Sequence, residues 1–99
     1  VVAVAGVEAD GTAWKDSNYG DFVDLSASAS ATLPSGNYAG TSISSAVVAN
    51  ALAQYMNAHP DATRSDALSA LESSLSPAPS AGYGKGILDS AALRRFLSL

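Results

Sequence analysis

The feature that most constrains the fold of this chain is a run of 36 residues, 25–60, without a formal charge. Its second half, from about Ser42 to Ala58, has the length and the alanine content of a helix. Apolar residues cover nearly the whole circumference of that helix, which is typical of a helix in a protein interior. We therefore predict a buried helix, ended by His59-Pro60 because proline disfavours the α conformation in the residue before it.

The segments before this helix predict strands. Val1–Val7 is an unbroken apolar run rich in β-branched residues, as in a parallel strand covered on both faces. Phe22–Leu25 is predicted as a second short strand, whereas the alternating serines and alanines of 26–31 favour no element. Leu33–Asn37 has the proline and glycine chemistry of a tight turn.

The segments after the helix predict two further helices around a short strand at 84–89. Thr63 and Asp66 have the spacing of a capping box ahead of an amphipathic surface helix. Ser90 is the expected cap of a last helix, with Arg94 and Arg95 late enough to favour its C-terminal dipole. This order of elements predicts an α/β fold.

Composition excludes several functional classes. The 99 residues include no cysteine, so disulfides, thiolate zinc sites and thiol nucleophiles are ruled out. Five basic residues against nine acidic ones, a net charge of −4, disfavour a nucleic acid or an anionic membrane surface as partner. No apolar run approaches the roughly 20 residues that a membrane span needs. We also expect no metal site and no cofactor.

The candidate site is the Gly40-Thr41-Ser42 turn at the start of the long helix. A serine there lies in the field of the positive helix end, beside unpaired main-chain N–H groups that can stabilise an oxyanion. A simpler interpretation is that Ser42 caps the helix, since serine is a preferred N-cap residue. The position alone leaves both interpretations open.

The surrounding residues resemble a known family. Gly40 to Ser45, Gly-Thr-Ser-Ile-Ser-Ser, is similar to the nucleophile motif of subtilisin-like serine proteases, Gly-Thr-Ser-Met-Ala-Ser-Pro-His-Val-Ala-Gly. Other stretches resemble family sequences in the same order along the chain: Val1–Val7 (Val-Ile-Ala-Val-Gly-Ala-Val), Ser17–Gly20 (Ser-Asn-Tyr-Gly), Val23–Ala27 (Val-Asp-Val-Ala-Ala), His59-Pro60 after the long helix, and Tyr83–Asp89 (Tyr-Gly-Lys-Gly-Leu-Ile-Asn).

The resemblance implies the fold and the domain organisation. Residues 1–99 would be the C-terminal portion of a subtilisin-like peptidase domain, and hence an incomplete domain. The implied fold has three layers, a mostly parallel sheet, and a buried central helix that starts at the nucleophile. By the same resemblance the protein is secreted or belongs to the cell envelope.

The resemblance also implies a serine endopeptidase that hydrolyses peptide or protein substrates through an acyl-enzyme. Ser42 would be the nucleophile and its own N–H an oxyanion donor, with Thr41 supporting the oxyanion from behind. In this family the aspartate and the histidine precede the serine along the chain. The necessary partner is therefore the upstream part of the same protease, and the isolated chain is expected to be inactive.

Neither His59 nor Asp24 is expected to complete the triad. His59 follows a helix of roughly 25 Å, at 1.5 Å per residue, and so lies at the end opposite Ser42. Asp24 is more simply a strand-end or loop carboxylate, because the family's catalytic aspartate belongs to a much earlier strand.

Departures from the family motif keep two alternatives open. Ile43 stands in place of methionine, Ala46 of proline, Val47 of histidine and Asn50 of glycine. These changes are compatible with a non-catalytic, subtilisin-like scaffold or binding module. The chain could also be an unrelated small α/β protein in which Gly-Thr-Ser only caps a helix.

Overall fold

The computed structural model describes residues 2–99, so the first residue of the predicted strand Val1–Val7 lies outside the described residues. The elements, in chain order, are β1 (Val4–Val7), β2 (Leu25–Ser28), β3 (Ser30–Leu33), β4 (Gly36–Ala39), α1 (Thr41–Ala58), α2 (Arg64–Ser74), β5 (Ile87–Leu88) and α3 (Ser90–Leu97).

Three of the strands form a parallel sheet, which confirms the predicted α/β class. The sheet order is β1-β2-β5, with Val4 opposite Leu25 and Ser26 opposite Ile87. β2 is the central strand, and α1 and α2 lie in the crossover that connects it to β5.

All three helices pack on one face of the sheet. Their buried side chains form a single core with those of β2 and β5: Leu25, Ala27, Val48, Ala51, Leu71, Leu88, Ala92 and Phe96. The opposite face carries a second cluster, in which Ala5 and Val7 of β1 contact loop residues such as Val23 and Tyr83. Within residues 2–99 the expected third layer is thus made of loops, not helices.

The prediction for the second strand was wrong by three residues. Phe22 is 64% exposed and belongs to a turn, in which the Val23 N–H donates to the Gly20 carbonyl at 3.1 Å. Pairing with β1 begins only at Leu25. Residues 26–31, whose pattern favoured no element, lie largely in β2 and β3, and Ala27 of β2 is fully buried in the core beside Val48 and Ala51 of α1.

The predicted turn at Leu33–Asn37 is confirmed as the tip of an antiparallel hairpin. β3 and β4 pair from Ser30 opposite Ala39 to Leu33 opposite Gly36, which leaves Pro34-Ser35 as the turn. This hairpin is mostly exposed, and it connects the end of β2 to the start of α1.

The helix ends largely follow the predictions. α1 ends at His59, and Thr63 with Asp66 forms the expected capping box on α2. The N-cap of α3, however, is Asp89 and not Ser90, because the Asp89 carboxylate accepts the Ala92 N–H at 2.8 Å.

The burial of α1 is one-sided. Ser44, Val48 and Ala51 are its buried residues, whereas Ala49 and Met56 belong to a side that is exposed within this chain. The expected burial on all sides is therefore only partly met by residues 2–99. No helix in this range is long and apolar enough to cross a membrane.

Candidate active site

Ser42 is the second residue of α1, and its side chain is exposed. The N-cap residue is Gly40, two positions earlier, and no side chain caps the helix. The alternative in which Ser42 serves as the helix cap is therefore wrong. Within residues 2–99, its hydroxyl makes no hydrogen bond, so it is free to act on a ligand.

Gly40 sets the direction in which the chain enters α1. Its backbone has φ 158° and ψ 153°, a combination that L residues rarely adopt. Its N–H donates to the Ala29 carbonyl at 2.7 Å, and its carbonyl accepts the Ile43 N–H at 3.0 Å. The turn before the nucleophile candidate is thus tied to the end of β2.

The first main-chain donors of α1 are open. The N–H groups of Thr41 and Ser42 have no acceptor among the described residues, and the first turn of the helix contains no acidic side chain. Such donors and the positive end of the helix dipole favour a negative charge at this position. The open N–H groups could stabilise an oxyanion, and the exposed hydroxyl beside them could attack a carbonyl if a base removed its proton.

Ser44 was not singled out by sequence reasoning. Its side chain is fully buried, and its hydroxyl donates to the carbonyls of Ala27 and Ser28, each at 3.1 Å. A signal was present in the sequence, since Ser44 lies four and seven residues before Val48 and Ala51 and so shares the inner face of the helix.

His59 lies at the far end of α1, as expected. It caps the C-terminus of that helix and stacks on Tyr55 with the ring centroids 4.3 Å apart. The 18 residues of α1 span about 27 Å, at 1.5 Å per residue, so His59 cannot act as a base for Ser42.

Asp24 is a loop carboxylate, as expected. It accepts the Ala3 N–H at 2.7 Å and precedes β2. Ser28, near which α1 begins, lies at the other end of the same strand. Asp24 therefore lies at the amino end of β2, whereas Ser42 lies near its carboxyl end. Among the described residues, neither Asp24 nor His59 lies beside Ser42.

A cavity of about 390 Å³ lies at the carboxyl ends of the three parallel strands. Val7 of β1, Ser28 of β2 and Leu88 of β5 line it, together with Val47 of α1. Ser42 is not among the lining residues, so this cavity is separate from the candidate nucleophile. Among residues 2–99, no three histidine, aspartate or glutamate side chains are grouped so as to hold a metal ion.

Comparison with known proteins points to a protease fold. No protein-family model and no curated protein matches the chain. Among solved structures, a protease from Pseudoalteromonas arctica is 32% identical and superposes with a TM-score of 0.76. That match covers 94% of this chain but 34% of the protease, so the chain spans about a third of its length. The chain therefore has an α/β fold that it shares with part of a known protease.

Proposed function

We propose that Ser42 is the nucleophile of a subtilisin-like serine endopeptidase. The observation that carries the proposal is the start of α1, where an unbonded, exposed hydroxyl lies beside the open N–H groups of Thr41 and Ser42. The similarity of the fold to part of a protease and the family-like motif around Ser42 support it.

In the proposed reaction, the Ser42 Oγ attacks the carbonyl carbon of the scissile peptide bond. A histidine outside this chain takes the hydroxyl proton and passes it to the leaving amine. The Ser42 N–H donates to the oxyanion. Thr41 supports this interaction indirectly, from outside the groups that contact the oxyanion. Water then hydrolyses the acyl-enzyme and restores the Ser42 hydroxyl.

The partner in this proposal is the upstream part of the same protease, which carries the aspartate and the histidine. The chain spans about a third of the protease that it resembles in structure. The exposed side of α1 carries no charge, and its residues include Ala46, Ala49, Ala53 and Met56. Such a surface suits coverage by another polypeptide segment. A secreted or cell-envelope location is part of the same proposal.

The test is labelling by a serine-directed peptidyl phosphonate. We expect the chain combined with its upstream region to gain one phosphonyl group at Ser42, located by mass spectrometry of the peptides. The isolated chain should remain unlabelled, because no base lies near Ser42.

Two variants provide the controls. Ser42→Ala should abolish labelling and leave the free energy of unfolding within about 0.5 kcal/mol, since the hydroxyl makes no hydrogen bond within the chain. Ser45→Ala removes another exposed hydroxyl of the same helical turn and should leave labelling intact. If the folded assembly is not labelled, the non-catalytic scaffold suggested by Ala46 and Val47 becomes the better interpretation.

A further inference from the structure

The buried Ser44 hydroxyl lies two residues after Ser42 and joins α1 to the sheet. It donates to two successive carbonyls, those of Ala27 and Ser28, at the carboxyl end of β2. Burial of a hydroxyl is costly unless it is hydrogen-bonded, and here both acceptors are main-chain atoms of the central strand.

Close packing leaves Ser44 little room to move. A Cβ added to Gly6 of β1 would lie 3.3 Å from the Ser44 Oγ and 2.8 Å from the Ala29 Cβ. Ala29 in turn accepts the Gly40 N–H at 2.7 Å. The first turn of α1 is therefore held at two points, by Gly40 before Ser42 and by Ser44 after it.

We infer that Ser44 is a positioning residue for Ser42, an inference that rests on the proposed function. Its hydroxyl proton, shared between the two carbonyls, fixes the first turn of α1 relative to β2, and so fixes the backbone from which the Ser42 side chain extends and the direction of the open N–H groups. Accurate placement matters because a shift of about 1 Å in a reacting group can cost on the order of a hundredfold in rate.

The first measurement is amide hydrogen exchange of the 99-residue chain. Ser44→Ala should raise the exchange rates of the Gly40 and Ile43 amides about fivefold to tenfold, the effect of losing a net hydrogen bond. The matched control is Ser26→Ala, since Ser26 is equally buried and donates to the Tyr83 carbonyl at 2.7 Å. That variant should leave the Gly40 and Ile43 amides unchanged.

The second measurement is the rate of phosphonate labelling in the assembly with the upstream region. Ser44→Ala should lower this rate at least tenfold, whereas Ser26→Ala should change it less than twofold. Ser44→Cys keeps the shape of the side chain with a somewhat larger terminal atom that donates weakly, so its rate should fall between those of the wild type and Ser44→Ala. It also decides the question if Ser44→Ala does not fold.

The outcomes separate the two proposals. If Ser44→Ala and Ser26→Ala change exchange at Gly40 and Ile43 equally, or slow labelling equally, Ser44 has no positioning role. If the wild-type assembly is never labelled, the proposed function fails, and the exchange rates alone still decide whether Ser44 fixes the start of α1.

Discussion

The starts of α1 and α2 differ in whether side chains occupy the N–H groups of the first helical turn. At α2, the Thr63 hydroxyl accepts the Asp66 N–H at 3.1 Å, and the Asp66 carboxylate accepts the Thr63 N–H at 3.0 Å. At α1, the N-cap is a glycine without a side chain, and the first turn has no acidic residue.

The difference separates a helix start whose main-chain donors are occupied from one whose donors are open. Every helix begins with N–H groups that have no partner within the helix. α2 uses its own side chains to occupy them, which contributes stability. α1 leaves them open and is held from the sheet side instead, through Gly40 and Ser44. Open donors that are held rigidly can stabilise a charge that appears only during a reaction.

Of the variants that test the difference between the two helix starts, Gly40→Ala should lower the free energy of unfolding most. The added Cβ has space, since the nearest atom to it would be the Ser42 nitrogen at 4.0 Å, but the φ of 158° disfavours an L residue. We expect a loss of about 1–3 kcal/mol in the free energy of unfolding, measured by urea denaturation.

The control for this prediction is Gly36→Ala, at the hairpin tip. Gly36 has φ 139° and no atom within 4 Å of an added Cβ. Gly36→Ala should also lower the free energy of unfolding. Only Gly40→Ala, however, should speed hydrogen exchange of the Ile43 amide. A Gly40→Ala protein as stable as the wild type would show that the entry into α1 is not constrained by Gly40.

The next effect is expected at the capped helix. Thr63→Ala removes the hydroxyl that accepts the Asp66 N–H, so we expect a loss of about 1 kcal/mol in thermal or urea unfolding. Thr41→Ala, at the first residue of α1, should cost less than about 0.5 kcal/mol, because its hydroxyl makes no hydrogen bond within residues 2–99. Equal losses in the two variants would contradict the distinction between the helix starts.

The smallest effect concerns pH and the cap of α3. Partial burial raises the pKa of Asp89, but hydrogen bonds from the Ala92 N–H and the Ser76 hydroxyl and the nearby Arg95 charge hold that pKa below the ordinary 3.8. The ionised carboxylate therefore stabilises the fold above about pH 3.8, and this contribution is lost as pH falls through the lower folded pKa.

Asp89→Asn keeps an oxygen acceptor and removes the charge. We expect it to be about 0.5 kcal/mol less stable than the wild type at pH 7, and the difference to disappear below the folded pKa of Asp89. Thermal unfolding from pH 7 to pH 2 measures both. A difference that does not shrink as pH falls below 3.8 would mean that the charge of Asp89 is not its source.

Local signals in the sequence predicted the elements that depend on neighbouring residues. The capping box of α2, the turn before Gly36, and the end of α1 at His59 each follow from residues within a few positions of one another. The α/β class followed from the order of these elements. The position of β2 could not be predicted in this way. Phe22 has the apolar character of a strand residue, but within residues 2–99 no strand lies opposite it.

The sequence by itself determined the α/β class and placed Ser42 at the start of a long uncharged helix. Only the tertiary structure decided that Gly40 is the cap residue, that three helices share one face of the sheet, and that Ser44 bonds to β2. Local preferences act over one helical turn, whereas the contact of Ser44 with Ala27 joins residues 17 positions apart and forms only when the helix packs on the sheet.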